Sequence, residues 1–193
     1  REEVGAEVPV YFAGLSISGA TALHVARDYD KTFSGVVVVA SAATVGEPAR
    51  WQDRADQVEA TGTQQLVEET TKRWFTPMFR AQQPAVVDAV MEGLSAADDH
   101  SYAQLCRALA AHDVRDDLPY ITLPVVMVAG ERDTSTPIAN VELVAETVQR
   151  GELHVVPEAA HQVTVARPAD VARVIRGLLT RGQTSTVVSE SED

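Results

Sequence analysis

The sequence predicts an α/β fold: a parallel sheet interrupted by an insertion of four helices. Three observations carry this expectation. Apolar runs at 8–13, 35–40, 124–129 and 153–156 alternate with helical patterns, and such alternation implies parallel strands joined by right-handed crossovers. The run at 35–40, GVVVVA, is apolar without a break, which suits a strand buried on both faces. From 49 to about 118 strand signals stop, and amphipathic patterns at 51–60, 64–75, 85–94 and 102–112 take their place.

In chain order, residues 1–7 read as a helix end and a short loop. Strand 8–13 comes next, rich in β-branched and aromatic residues. It leads into Gly14-Leu15-Ser16-Ile17-Ser18-Gly19 and then a helix at 19–29. Strand 35–40 follows, and Asp, Gly and Pro84 separate the helices of the insertion. Strand 124–129, helix 138–148 and strand 153–156 restore the alternation. Pro168 stands at a first-turn position of a last helix at 169–179. The tail 181–193 is rich in Ser, Thr and Glu and is expected to be disordered. This gives four regions: core with the first strand and turn (1–48), helical cap (49–118), the returning core (119–180) and the tail (181–193).

Composition narrows the function classes. The chain has 193 residues, enough for a sizeable core. Its formal net charge of −12 argues against nucleic acid and anionic membranes as partners. A single cysteine, Cys106, rules out an intrachain disulfide and a cysteine-based metal site. Its neighbours Leu105, Ala108 and Leu109 mark it as an inert core thiol. No apolar run is long enough to span a bilayer. The first residues carry no signal-peptide pattern, so the expected compartment is cytoplasmic.

Strand, tight glycine turn with a central serine, then helix is the sequence form of a nucleophile elbow. The turn strains the serine backbone and lifts its hydroxyl clear of the sheet. The following helix aims its first N–H groups at a developing oxyanion, with Ile17 as the first donor. Sites in parallel sheets lie beyond the carboxyl ends of strands, which directs attention to two more loops. Gly130-Glu131-Arg132-Asp133 follows one strand, and Pro157-Glu158-Ala159-Ala160-His161 follows another. A neutral serine needs a base, and the base needs a carboxylate to hold its tautomer. Ser16, Asp133 and His161 supply that set, in the chain order of α/β-hydrolase triads. Each has a plainer alternative. Asp133 could cap the helix at Ile138, with Glu131 as rival acid, and His161 could be an ordinary loop histidine. His24, His100, His112 and His154 fall within helix or strand patterns and read as structural or surface residues.

With these residues in place, 8–179 resembles the 3-oxoadipate enol-lactonase group of α/β-hydrolases. The likeness rests on GLSISG, on Trp51 followed by the helix at 54–62, and on Arg73-Trp74-Phe75-Thr76-Pro77 with Phe79-Arg80. It rests also on Leu123-Pro124-Val125 through Gly130-Glu131-Arg132-Asp133, and on Ala159-Ala160-His161. The resemblance implies opening of an enol-lactone ring to 3-oxoadipate in the β-ketoadipate pathway of aromatic-compound catabolism, with no cofactor and no metal. Because that lactone carries a carboxylate, it implies substrate contacts from Arg73, Trp74 and Arg80. The departure is Ser18, where the group usually has glycine.

The same resemblance implies several strands before the elbow, where only seven residues precede 8–13. The expectation is a carboxyl-terminal portion of a larger enzyme, without the loop that supplies a second oxyanion donor. An amino-terminal fragment or a homo-oligomer partner would complete the sheet. Two competing functions stand beside the lactonase. One is a general carboxylesterase or a haloperoxidase-like hydrolase; the other is an inactive fragment that needs a second polypeptide.

Overall fold

The computed structural model describes residue 5 and residues 8–188. Four strands form one parallel sheet in the order β1 (Tyr11–Leu15), β2 (Gly35–Val39), β3 (Val125–Gly130), β4 (Gly151–Val156). Helix α1 (Ile17–Asp28) joins β1 to β2, and α7 (Ile138–Thr147) joins β3 to β4. Between β2 and β3 lie α2 (Pro48–Thr61), α3 (Val67–Trp74), α4 (Pro77–Gln82), α5 (Pro84–Ser95) and α6 (Asp99–Ala110). Short α8 (Val163–Ala166) and long α9 (Pro168–Val188) follow β4.

Strand alternation explains the two faces. Val36 and Val38 of β2 pack with Leu23 and Ala26 of α1 and Val141 and Val144 of α7. Val37 and Val39 point the other way, into a cluster with Val171 and Leu178 of α9. All four valines are buried, and each contributes roughly 1.5–3 kcal/mol by leaving water. The inserted helices build a separate core from Val58, Leu66, Phe75, Val87, Met91 and Leu94. Cys106 sits buried beside Ala55 and Ala103, and burial raises its thiol pKa.

Several boundaries differ from the sequence expectation, each for a local reason. Strand β1 begins at Tyr11 rather than at residue 8, because its partner β2 starts only at Gly35 and Pro9 has no N–H to give a ladder. The helix expected at 64–75 breaks into a 3-10 turn at Thr63–Leu66 and then α3. There Asp99 Oδ1 accepts the Thr63 N–H at 2.8 Å. Helix α4 joins the four expected helices: Thr76 caps it by accepting the Phe79 N–H at 3.2 Å, and Pro77 occupies its first turn. The tail expectation is corrected over 181–188, where α9 continues to Val188. Its remainder, 189–193, lies outside the described residues, as does the helix end expected at 1–7 apart from Gly5. Among the described residues no helix is long and apolar enough to cross a membrane.

Candidate active site

The elbow forms where β1 runs into α1. Ser16 sits between them at φ 55°, ψ −116°, a conformation that a residue with a Cβ adopts only under strain. Its N–H donates to Val39 O at 2.8 Å, tying the turn to the end of β2. The close approach falls on two glycines. A Cβ on Gly14 would lie 2.1 Å from Ser18 O, and one on Gly19 would lie 2.6 Å from Ser41 Cβ. The Ser18 side chain is exposed, so serine at that position meets no wall, and the turn does not depend on a glycine there.

Three strand ends bring the sequence-predicted residues together. Ser16 Oγ lies 2.9 Å from His161 Nε2, and His161 Nδ1 lies 2.8 Å from Asp133 Oδ2. A carboxylate can only accept, so Nδ1 carries the proton and Nε2 is left to accept from the serine hydroxyl. Asp133 and His161 are buried. Asp133 also accepts from Ser135 N–H at 2.7 Å, Thr136 N–H at 3.2 Å and the Thr136 hydroxyl at 2.6 Å. Burial opposes its charge. The hydrogen bond and charge of His161, with the Thr136 and Ser135 donors, outweigh burial and hold its pKa below the usual carboxylate value.

The alternatives fall elsewhere. Asp133 does not cap α7, which starts after Pro137 without a side-chain cap. Glu131 is exposed; it accepts the Glu158 N–H at 3.0 Å and pairs with Arg132 at 3.6 Å, bracing the loop after β4. His112 is buried. Its Nε2 donates to Ala42 O at 2.9 Å, so its Nδ1 accepts from His24 Nε2 at 3.2 Å. Thus His24 and His112 tie α1 to the chain leaving α6. His100 and His154 make side-chain contacts with Glu59 and Glu152.

Ile17, the first residue of α1, has an N–H without an intrahelical partner and suited to an oxyanion. The Trp74 ring lies over His161, centroids 6.3 Å apart, and Trp74 O accepts the Gln162 N–H at 3.0 Å. Arg73, next to it, is half-buried, and its Nε lies 3.4 Å from Glu69 Oε1 without hydrogen-bond geometry. Arg80 lies on α4 with its Nε buried and without a hydrogen-bond partner. Sequence reading missed two neighbours. Thr136 was signalled by its place three residues after Asp133, where an Asx-type turn returns a hydroxyl to the carboxylate. Arg54 was signalled by its place one helical turn after Trp51. Among the described residues no cluster of three or more His, Cys, Asp or Glu converges to hold a metal.

With this geometry in view, comparison with known proteins is informative. Residues 1–166 match the Hydrolase_4 family model, described as serine aminopeptidase, S33. Over 170 residues the chain is 32% identical to 3-oxoadipate enol-lactonase 2 of Acinetobacter baylyi, covering 88% of this chain and 63% of that protein. It is 26% identical to a pimeloyl-[acyl-carrier protein] methyl ester esterase of Vibrio vulnificus, covering 81% of this chain and 65% of that protein. The chain thus spans less than two thirds of the length of these curated relatives. The crystal structure of the enol-lactonase from Burkholderia xenovorans LB400 superposes with a TM-score of 0.86 at 25% identity, over 89% of this chain and 66% of that one. The parallel sheet, the helices around it and these matches agree: the chain belongs to the Hydrolase_4 family of α/β-hydrolases.

Proposed function

We propose that the protein is a serine hydrolase that opens an enol-lactone, resembling 3-oxoadipate enol-lactone, through an acyl-enzyme. The observation that carries this reading is the chain of two hydrogen bonds, 2.9 Å from Ser16 to His161 and 2.8 Å from His161 to Asp133. In the proposed reaction Ser16 Oγ attacks the ring carbonyl while His161 Nε2 takes its proton. The carbonyl oxygen gains negative charge beside the Ile17 N–H. Collapse of the tetrahedral species expels the enol oxygen, which takes up a proton and tautomerises to a ketone. Water, deprotonated by His161, then attacks the acyl-enzyme and restores Ser16. Asp133 stays ionised throughout and stabilises the imidazolium.

The lactone part of the reading is supported by the likeness to enol-lactonases and by Trp74 beside His161, with the half-buried Arg73 next to it in the chain. Arg73, Trp74 and Arg80 are assigned to substrate binding on this reading, residues 49–118 act as the cap, and the partner is a small anionic lactone. The relative that acts on a methyl ester favours a second reading, a carboxylesterase for open-chain esters.

The test is turnover of an acidic enol-lactone against a neutral open-chain ester, in the full-length protein and in Ser16→Ala. We expect the lactone to be preferred. We expect Ser16→Ala to lower kcat by roughly 10⁶ with an unchanged melting temperature, and to abolish labelling by a fluorophosphonate. Preference for the ester favours the second reading. Retained turnover in Ser16→Ala removes Ser16 from the mechanism.

A further inference from the structure

The loops that carry the acid and the base are fastened to each other twice. The inner fastening is backbone. The Glu131 N–H donates to Val156 O at 3.0 Å and the Arg132 N–H to Ala159 O at 2.8 Å. The two loops run so close that a Cβ on Gly130 would lie 2.5 Å from Ala160 O and 2.6 Å from Ala159 O. The outer fastening is made by side chains. Arg132 Nη2 donates to Glu158 Oε1 at 2.8 Å, and the Glu158 N–H donates to Glu131 Oε2 at 3.0 Å. Arg132 immediately precedes Asp133, and Glu158 stands three residues before His161.

Glu158 is held in a conformation that its side chain disfavours. Its φ is 55°, in the left-handed region where a Cβ is crowded. It follows Pro157 in a turn, and a positive-φ position after proline suits glycine or asparagine. A glycine there would adopt the same backbone without strain, but it would leave Arg132 without its nearest carboxylate. The ion pair to Arg132 is therefore what the Glu158 side chain adds and the backbone alone cannot. The Arg132 hydrogen bond also holds the pKa of Glu158 below its usual value, so the carboxylate is charged at neutral pH.

We propose that Arg132 and Glu158 are positioning residues, whose ion pair clasps the acid loop to the base loop and keeps His161 Nδ1 on Asp133 during turnover. The proposal rests on the reading of Ser16, His161 and Asp133 as an acyl-transfer site. The clasp matters most when Ser16 attacks and its proton arrives at His161 Nε2. The imidazolium must then neither turn nor withdraw from Asp133. The Arg132 and Glu158 side chains are 57% and 44% exposed, so salt screens the clasp, and it tunes the rate rather than deciding whether reaction occurs.

The experiment follows hydrolysis of neutral p-nitrophenyl acetate by the wild-type protein, Arg132→Gln, Glu158→Gly and the double variant, with a melting temperature for each. Each single variant is expected to lower kcat about two- to fivefold, the effect of an exposed ion pair, with KM unchanged. The double variant is expected to be no slower than the slower single one, because both remove one interaction. In Glu158→Gly the strain relieved offsets the lost pair, so Tm is expected to stay near that of the wild type. A rate that falls while Tm holds is the result that a merely structural role does not give. Sodium chloride at about 1 M is expected to bring the wild-type kcat down to that of the variants. Unchanged kcat in both single variants, or losses that multiply in the double variant, overturn the clasp. Arg132→Gln keeps the test decisive if Glu158→Gly fails to fold. The low-field proton resonance of His161 Nδ1–H separates the clasp from the hydrolase reading. Faster exchange of that proton with solvent in both variants upholds the clasp even if the ester is not turned over, in which case the hydrolase reading alone fails. An unchanged resonance in both variants overturns the clasp.

Discussion

The strand-end site and the inserted helices above it satisfy their polar groups in opposite ways. Asp133 is buried and accepts four hydrogen bonds, from His161, Ser135 and twice from Thr136. Arg54 and Arg73 share a single exposed carboxylate at more than 3.3 Å. The difference teaches where each region does its work. A group whose bonds are complete before substrate arrives is held for the chemical step, with no reorganisation needed during reaction. On the proposed function, a cap arginine whose bonds are incomplete completes them on the substrate and so acts on affinity.

The comparison predicts that core substitutions fall on kcat and cap substitutions on KM. After Ser16→Ala, the next large effect on the core side is expected from Asp133→Asn. An amide keeps the size but offers His161 a donor in place of an acceptor, favouring the wrong tautomer. We expect kcat to fall on the order of 10⁴-fold while KM for an acidic ester stays near its original value. A KM change as large as the kcat change would break the division between the two regions.

A smaller effect sharpens the account of the elbow. Ser18 lies in the first turns of α1 with its side chain exposed, while Gly14 and Gly19 take the close contacts. Ser18→Gly therefore relieves no clash and adds backbone freedom to a helix. The expected result is a loss of roughly 0.5–1 kcal/mol, a fall in Tm of about 1–4 °C, and unchanged turnover. A faster or more stable variant would mean that the serine strains the turn after all.

The smallest effect tests the seam between the regions, where His24 and His112 join α1 to the chain leaving α6. Burial first, then Arg27 and His112, hold the His24 pKa below 6.5, against the pull of Asp28 and Asp117. Folding thus favours neutral His24. Its contribution is complete above pH 6.5 and is lost as the pH falls from there through the lower folded value, where the unfolded chain binds more protons. Removing the titration in His24→Gln should make the fall in Tm on acidification from pH 7 to 5.5 smaller by on the order of 1 °C. An identical fall in both proteins would show that the seam is insensitive to His24 charge.

Local chemistry made much of this legible. The unbroken valines of β2, the glycines around Ser16, and the acid and histidine just past two apolar runs are adjacent-residue patterns, and the backbone converts them into strands, a turn and strand-end loops. Helix α4 and the break before α3 were harder to read, because a six-residue helix and a 3-10 turn leave little periodicity. So was the start of β1: its length is set by where β2 begins, which the residues of β1 do not encode.

By itself, then, the sequence determined the parallel α/β class, the helical insertion and the identity of Ser16, Asp133 and His161 as candidates. Each of these follows from spacing within a few residues of a strand end. Only the tertiary structure decided that Asp133 rather than Glu131 meets His161, that Gly19 rather than Ser18 takes the contact with Ser41, and that Arg54 faces Arg73 across Glu69. The reason is physical. Periodicity reports which side of a helix is apolar, but the angles at which α2 packs on α6 and α3 on α5 decide which charged groups at their edges converge, and those angles are set by side chains on several helices of the insertion at once.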